Sequence, residues 1–240
     1  MPNEKLSIKT GDFIRVGWIS SLIVGILYLL VGVTHFLLPL DQLRGGHGIN
    51  EAFFLSLADH SLIFSVHYWI VVLLSLFSIA VILAFFKIVS SAHKGVALWV
   101  TVIGIIGTAL SIVDFASVGV KAPRIAQQFS SYTASEKSVA LITGLPHVDP
   151  CFLSWAFLGI WSSVCNWLAL KDKLLPKTIC YVGIFGSCLY IFVFIGSVVQ
   201  KQLIIDIAVG VGGLIIAPIW YIWFGLAIKT IYGRTNSAGG

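Results

Sequence analysis

Four ionisable side chains stand inside long apolar runs of this chain: His35, His67, Asp114 and Asp206. A carboxylate held in hydrocarbon costs roughly 3 kcal/mol on insertion scales, so such groups turn to a bundle interior or a watery cavity and mark ion paths, proton relays and ligand sites. Imidazole changes charge nearest neutral pH and also ligates metals and haem iron. In a shared pocket Asp114 and Asp206 would handle a cation or a proton, while His35 and His67 would donate or relay. Two further polar residues share their helical faces. Gly25, Tyr28, Gly32 and His35 follow one another at steps of three, four and three, as do Gly104, Gly107, Ser111 and Asp114. These steps place each set on one side of a helix. Tyr28 and Ser111 therefore complete the candidate ligand-binding set of His35, His67, Asp114 and Asp206. The bland alternative is inert pairing, for example Asp114 with His67, which would fix helix register and meet no ligand.

The elements that would position these groups follow from composition. The 240 residues are 58% hydrophobic and 10% charged, which excludes a soluble globular domain. Six uncharged runs are long enough to cross a bilayer, which takes roughly 20 helical residues. They cover about Gly17 to Pro39, Leu62 to Phe86, Val96 to Val120, Cys151 to Leu170, Ile179 to Val199 and Leu203 to Ile228. Barrel strands are about half that length, so the runs read as helices, and the chain as one all-α transmembrane domain, a polytopic six-helix bundle over residues 1–240. Counted from the outer ends at about 1.5 Å per residue, His35, His67, Asp114 and Asp206 all fall roughly 5 to 10 Å below the outer boundary. That common depth is the reason to expect a pocket.

The net charge of +5 reports orientation and not nucleic-acid binding. With both termini in the cytoplasm, the inner side carries Lys5, Lys9, Arg15, Lys87, Lys94, Lys171, Lys173, Lys177, Lys229 and Arg234. Arg44, Lys121, Arg124, Lys137 and Lys201 fall on the outer side, an asymmetry that fits positive-inside. The expected surroundings are lipid, with membrane-protein partners or self-association compatible with the long apolar faces. The polar stretch before the first span reads as a surface segment ahead of an uncleaved helix.

Between the spans, residues 50–58 read as a short outer helix offering Phe53, Phe54, Leu55 and Leu57 to the interface, either as a lid or as a helix resting at headgroup level. Lys87, His93 and Lys94 bracket a short inner loop. In the longest connection Thr133-Ala-Ser-Glu136 spells a capping box that opens a helix through Leu141. Pro218 is expected to kink the last span. Cys151, Cys165, Cys180 and Cys188 read as buried, inert thiols. The glycines around Gly210 lack the strand and spacing of a nucleotide fingerprint and read as helix packing.

Enzyme signatures are missing: there is no G-x-S-x-G, no H-E-x-x-H and no carboxylate pair one helical turn apart in a span. His147-Val-Asp149 with His47 and His60 is a candidate loop metal site, against the plainer expectation of solvated histidines. Three functional classes stay open. One is a pocket that binds or passes a small molecule or ion. Another is a redox subunit in which His35 and His67 ligate a b-type haem, although neighbouring helices pack about 8 to 10 Å apart, tight for a macrocycle. The last is a non-catalytic accessory subunit whose polar layer is structural.

Ala217-Pro218-Ile219-Trp220-Tyr221-Ile222-Trp223-Phe224-Gly225 and Gly25-Ile26-Leu27-Tyr28-Leu29-Leu30 resemble bacterial six-helix membrane proteins classed as domains of unknown function. The resemblance implies six spans and transfers no functional residue.

Overall fold

The computed structural model describes residues 4–43, 49–145 and 147–233, with side chains from Asp12 to Ile231. Among these the regular elements are helical: α1 (Glu4–Leu37), α2 (Leu40–Leu43), α3 (Glu51–Asp59), α4 (Ser61–Phe129), α5 (Ala134–Thr143), α6 (Leu153–Lys171), α7 (Lys177–Val198) and α8 (Gln202–Ile207). A π-helical stretch, Ala208–Ile216, then joins α8 to α9 (Ala217–Gly233). Five helices are long and apolar enough to cross a membrane: Asp12–Leu37, Ser61–Phe129, Leu153–Lys171, Lys177–Val198 and Gln202–Ile231.

The second of these is too long to be one rod. Its 69 residues would extend about 100 Å, three times the hydrocarbon thickness. At His93 the backbone leaves helical geometry, with φ −133° and ψ 51°, and the chain folds back on itself. Tyr68 meets Gly119 at 3.0 Å, measured from a Cβ built on the glycine, and the Tyr68 and Phe115 rings stand 5.7 Å apart. The expected inner loop is therefore a single non-helical residue between two helices. His93 Nε2 also approaches Asp172 Oδ2, just past α6, to 2.9 Å, tying the bend to its neighbour.

Helix α1 packs on α4 and α9, and α6 packs on α4 and α7. The main core runs along these seams through Val24, Val81, Ile82, Phe85, Trp161 and Phe224. Small residues set how closely the helices approach. A Cβ at Gly104 would stand 2.8 Å from Trp161, and one at Gly107 would stand 2.9 Å from the carbonyl oxygen of Ser154. Those stripes bring α4 and α6 into backbone contact. Pro218 offers no N–H to Leu214. A departure from α-helix does precede the proline, in the nine π-helical residues Ala208–Ile216.

Two short helices close one end. Asn50 caps α3 by accepting from the Phe53 N–H, and Phe53, Phe54 and Leu57 are buried against Phe64, Phe129 and Val118. The helix expected to offer its aromatics to the interface turns them inward; Leu55 alone of the four is exposed. Stacking of Phe54 on Phe129, ring centres 4.7 Å apart, fixes that face. Helix α5 starts at the capping box of Thr133 and Glu136 and docks on α3 through Lys137 Nζ and Glu51 Oε1, 2.8 Å apart.

The Thr133 backbone N–H and hydroxyl hold the Glu136 carboxyl below the usual carboxylate range. A carboxylate depressed in this way stabilises the helix above its unfolded pKa and loses that contribution as pH falls through the folded value. Amide exchange in α5 is expected to quicken on acidification below the unfolded carboxyl pKa, and Glu136→Gln is expected to remove that dependence. An α5 exchange rate equally pH-sensitive in the variant, after correction for intrinsic exchange, would refute this.

Candidate functional site

The end of α1, helices α2 and α3, both arms of α4, the connection from α5 to α6 and the turn from α7 into α8 line an open cavity of about 760 Å³. Its wall carries His35 from α1, His67 from α4 and His147 from the α5–α6 connection, together with Gln42, Gln200 and Gln202. The apolar part is half aromatic, with Phe53, Phe64, Tyr68, Phe115 and Phe152, and half aliphatic, with Leu38, Leu43, Leu145, Pro150 and Ile205. A large pocket lined mostly by apolar groups with a few convergent polar ones is the usual form of a small-molecule site.

His35 and His67 face each other with ring centres 6.1 Å apart and planes tilted by 44°. The Thr34 hydroxyl lies 2.8 Å from His67 Nδ1 and 2.9 Å from the carbonyl oxygen of Leu30. That contact orients the His67 ring and leaves Nε2 as the edge available to the cavity. These two histidines are the part of the sequence-derived set that meets in space.

Asp114 is placed differently from either sequence expectation. It is 2% exposed and does not pair with His67. His147 Nδ1 donates to its Oδ2 at 3.0 Å, the Val148 N–H donates to Oδ1 at 2.6 Å, and the Asp149 N–H donates to Oδ1 at 3.0 Å. A buried carboxylate is tolerated when its oxygens are occupied in this way. The clamp continues outward, because Asp149 in turn accepts from the N–H groups of Leu153 and Ser154, both at 2.8 Å, and so caps α6. One carboxylate thus anchors the loop, and the loop's own carboxylate anchors the next helix. The same bond fixes the His147 tautomer: Nδ1 carries the proton toward Asp114 and Nε2 is left for the cavity, as carboxylate–imidazole pairs do elsewhere.

The remaining candidates stand apart from the wall. Tyr28 lies in the core, where its hydroxyl bonds the Tyr190 hydroxyl and its ring stacks on Tyr221 at 5.6 Å. Ser111 is buried, one turn before Asp114, and does not reach the cavity. Asp206 is exposed, accepts from Gln202 Nε2 at 2.8 Å, and lies within electrostatic reach of His35 without lining the wall. The supposed metal pair is spent on other work, since His147 holds Asp114 and Asp149 caps α6. Among the described residues no group of three or more potential metal ligands comes together. His60 is exposed, and His47 lies outside the described residues. Of the cysteines, Cys165 and Cys180 are buried as expected, whereas Cys151 and Cys188 are exposed.

Among the described residues three non-glycine residues hold positive φ, and two of them line this cavity while the third, Lys173, follows α6 away from it. Phe152 and Gln200, both on its wall, hold φ of 55°, the left-handed region that costs a side-chain-bearing residue about 1 to 2 kcal/mol. Both residues sit where a helix begins or has just ended, so the strained turns shape the wall. Non-glycine residues held in this region cluster at ligand sites.

A family model described as Domain of unknown function (DUF4386) matches residues 23–226. The chain belongs to that family. Every residue of the cavity wall, and the Asp114 clamp, falls within the match. So do both short stretches on which the resemblance rested. Comparison with curated proteins and with solved structures gives no match. With five helices of spanning length and composition, the protein is an integral membrane protein.

Proposed function

We propose that the protein is a six-span membrane protein, both termini cytoplasmic, whose cavity lies in the outer half of the bundle and binds or passes a small molecule. Counting the two arms of α4 separately supports the six spans, and the basic residues, ten on one side and five on the other, support the orientation. The single observation carrying the functional reading is the convergence of three imidazoles, from α1, α4 and the α5–α6 connection, on one cavity of about 760 Å³. Inert pairing accounts for Asp114, but it does not account for an open volume with His35 and His67 on its wall.

The test is native mass spectrometry of the full chain extracted with its surrounding lipid. Wild type is expected to carry one or more small-molecule adducts. Ser197→Trp, which fills the cavity from its wall, is expected to lose them while keeping its helical circular dichroism. Identical spectra for the two proteins, or a bare wild type, would count against a ligand site.

One distance favours a second reading. Two imidazoles on a single metal ion, with bonds of about 2 Å, hold their ring centres roughly 6 Å apart, close to the spacing of His35 and His67. A b-type haem would show a Soret band that disappears in His35→Ala or His67→Ala. The principal reading predicts a colourless preparation.

A further inference from the structure

If the cavity is a ligand site, as proposed above, its wall restricts the head group it takes. None of the described lining residues is Asp, Glu, Lys or Arg. Among the described lining residues, the charge acquired nearest neutral pH is positive, on His35, His67 or His147. Asp114 sits behind His147 with both oxygens engaged, Asp149 accepts from the N–H groups of Leu153 and Ser154, and Asp206 accepts from Gln202 off the wall. A cation entering such a space would lose its hydration and find no counter-charge on the wall. A phosphate would ask for the fixed, forked donors of arginine or for lysine, and neither is among the described lining residues. A singly charged oxygen head needs only a few neutral or protonatable donors. On His67 and His147 the Nδ1–H is engaged, by Thr34 and by Asp114, so Nε2 is a lone pair: it takes the proton that a carboxylic acid brings and then donates that proton to the resulting carboxylate, with His35 beside His67. The apolar remainder of the wall then accepts an apolar body.

We propose that the cavity binds a carboxylate carried on an apolar chain, its head among the imidazoles of His35, His67 and His147 and its tail against Phe53, Phe64 and Phe115.

The chain has six histidines, so its imidazole nitrogen spectrum is countable. Full-length protein carrying [15N]histidine, in phosphatidylcholine nanodiscs, is titrated separately with octanoate, octanol and octylamine, and resonances are assigned with single His→Gln variants. His93 is the internal control, about 39 Å from His67 along the helix axis. Octanoate is expected to move the His35, His67 and His147 resonances and leave His93 in place. Octylamine, charged at neutral pH, is expected to require at least tenfold more for the same shifts, and His67→Gln to weaken octanoate about tenfold. Octylamine or octanol moving the same three resonances at or below the octanoate concentration would overturn the head-group assignment while leaving the ligand site standing. Silence of all three imidazoles with every probe would overturn the site and the assignment together.

Discussion

Asp114→Ala is expected to cost about 3 to 5 kcal/mol of fold stability, the usual penalty for removing one partner of a buried ion pair. The alanine leaves His147 Nδ1 and the N–H groups of Val148 and Asp149 without their acceptor, each previously within 3.0 Å of the carboxylate. It also frees the loop whose Asp149 caps α6, so the loss is expected to extend to the first turn of that helix. Asp114→Asn should cost less, because one amide oxygen can still accept from the two backbone groups. Its NH2, however, would confront the His147 Nδ1 proton and force the other tautomer. Thermal unfolding in detergent is expected to rank wild type above Asn above Ala. A double-mutant cycle with His147→Ala should show coupling well above the 0 to 1 kcal/mol of an exposed pair. Additive effects would mean that the two side chains do not act as a unit.

The second large effect is expected at Gly107. A methyl group there would lie 2.8 Å from the Phe157 Cβ and 2.9 Å from the carbonyl oxygen of Ser154, and neither is the far end of a flexible chain. Helices α4 and α6 must separate to admit it, at a cost of about 1 to 3 kcal/mol for alanine and more for isoleucine. Ser154 is also one of the two residues whose N–H Asp149 caps, so the strain lands on the Asp114 clamp. Gly95→Ala is the control, since nothing lies within 4 Å of its added Cβ. Helix propensity alone then predicts a gain of about 0.5 to 1 kcal/mol. Opposite signs for these two glycines in one thermal-shift series would support the close α4–α6 seam, and a harmless Gly107→Ala would contradict it.

The spans were legible because hydropathy is additive along the chain. The bend at His93 is legible only as a loop, since Ser90, Ser91 and Gly95 around it are weak helix formers, whereas the turn uses a single non-helical residue. His35 and His67 were found together because each is the polar exception on an apolar face, and counting residues fixes depth along a helix. Counting cannot tell which way a loop folds. The partner of Asp114 therefore escapes, although the need for a partner is plain, and nearness in sequence offers His147 and Asp149 only as solvated side chains or, with His47 and His60, as a candidate metal site. Tyr28 and Ser111 share faces with His35 and Asp114, but they lie two turns and one turn away, far enough to belong to the core. Helix α3 shows the same limit: its aromatics look interfacial until Phe64 and Phe129 of α4 cover them.

The claim that everything functional depends on is that His35, His67 and His147 open on one space reached from one side of the membrane. Cysteine accessibility tests it directly. In a background with the four native cysteines replaced by alanine, His35→Cys, His67→Cys, His147→Cys and His93→Cys are each treated in sealed vesicles with a membrane-impermeant methanethiosulfonate from either side. The expected result is labelling of the first three from the outer side alone, of the fourth from the inner side alone, and a double variant at 35 and 67 that takes up one bulky reagent and not two. Labelling of 35 and 67 from opposite sides, or independent labelling of both, would contradict a shared cavity.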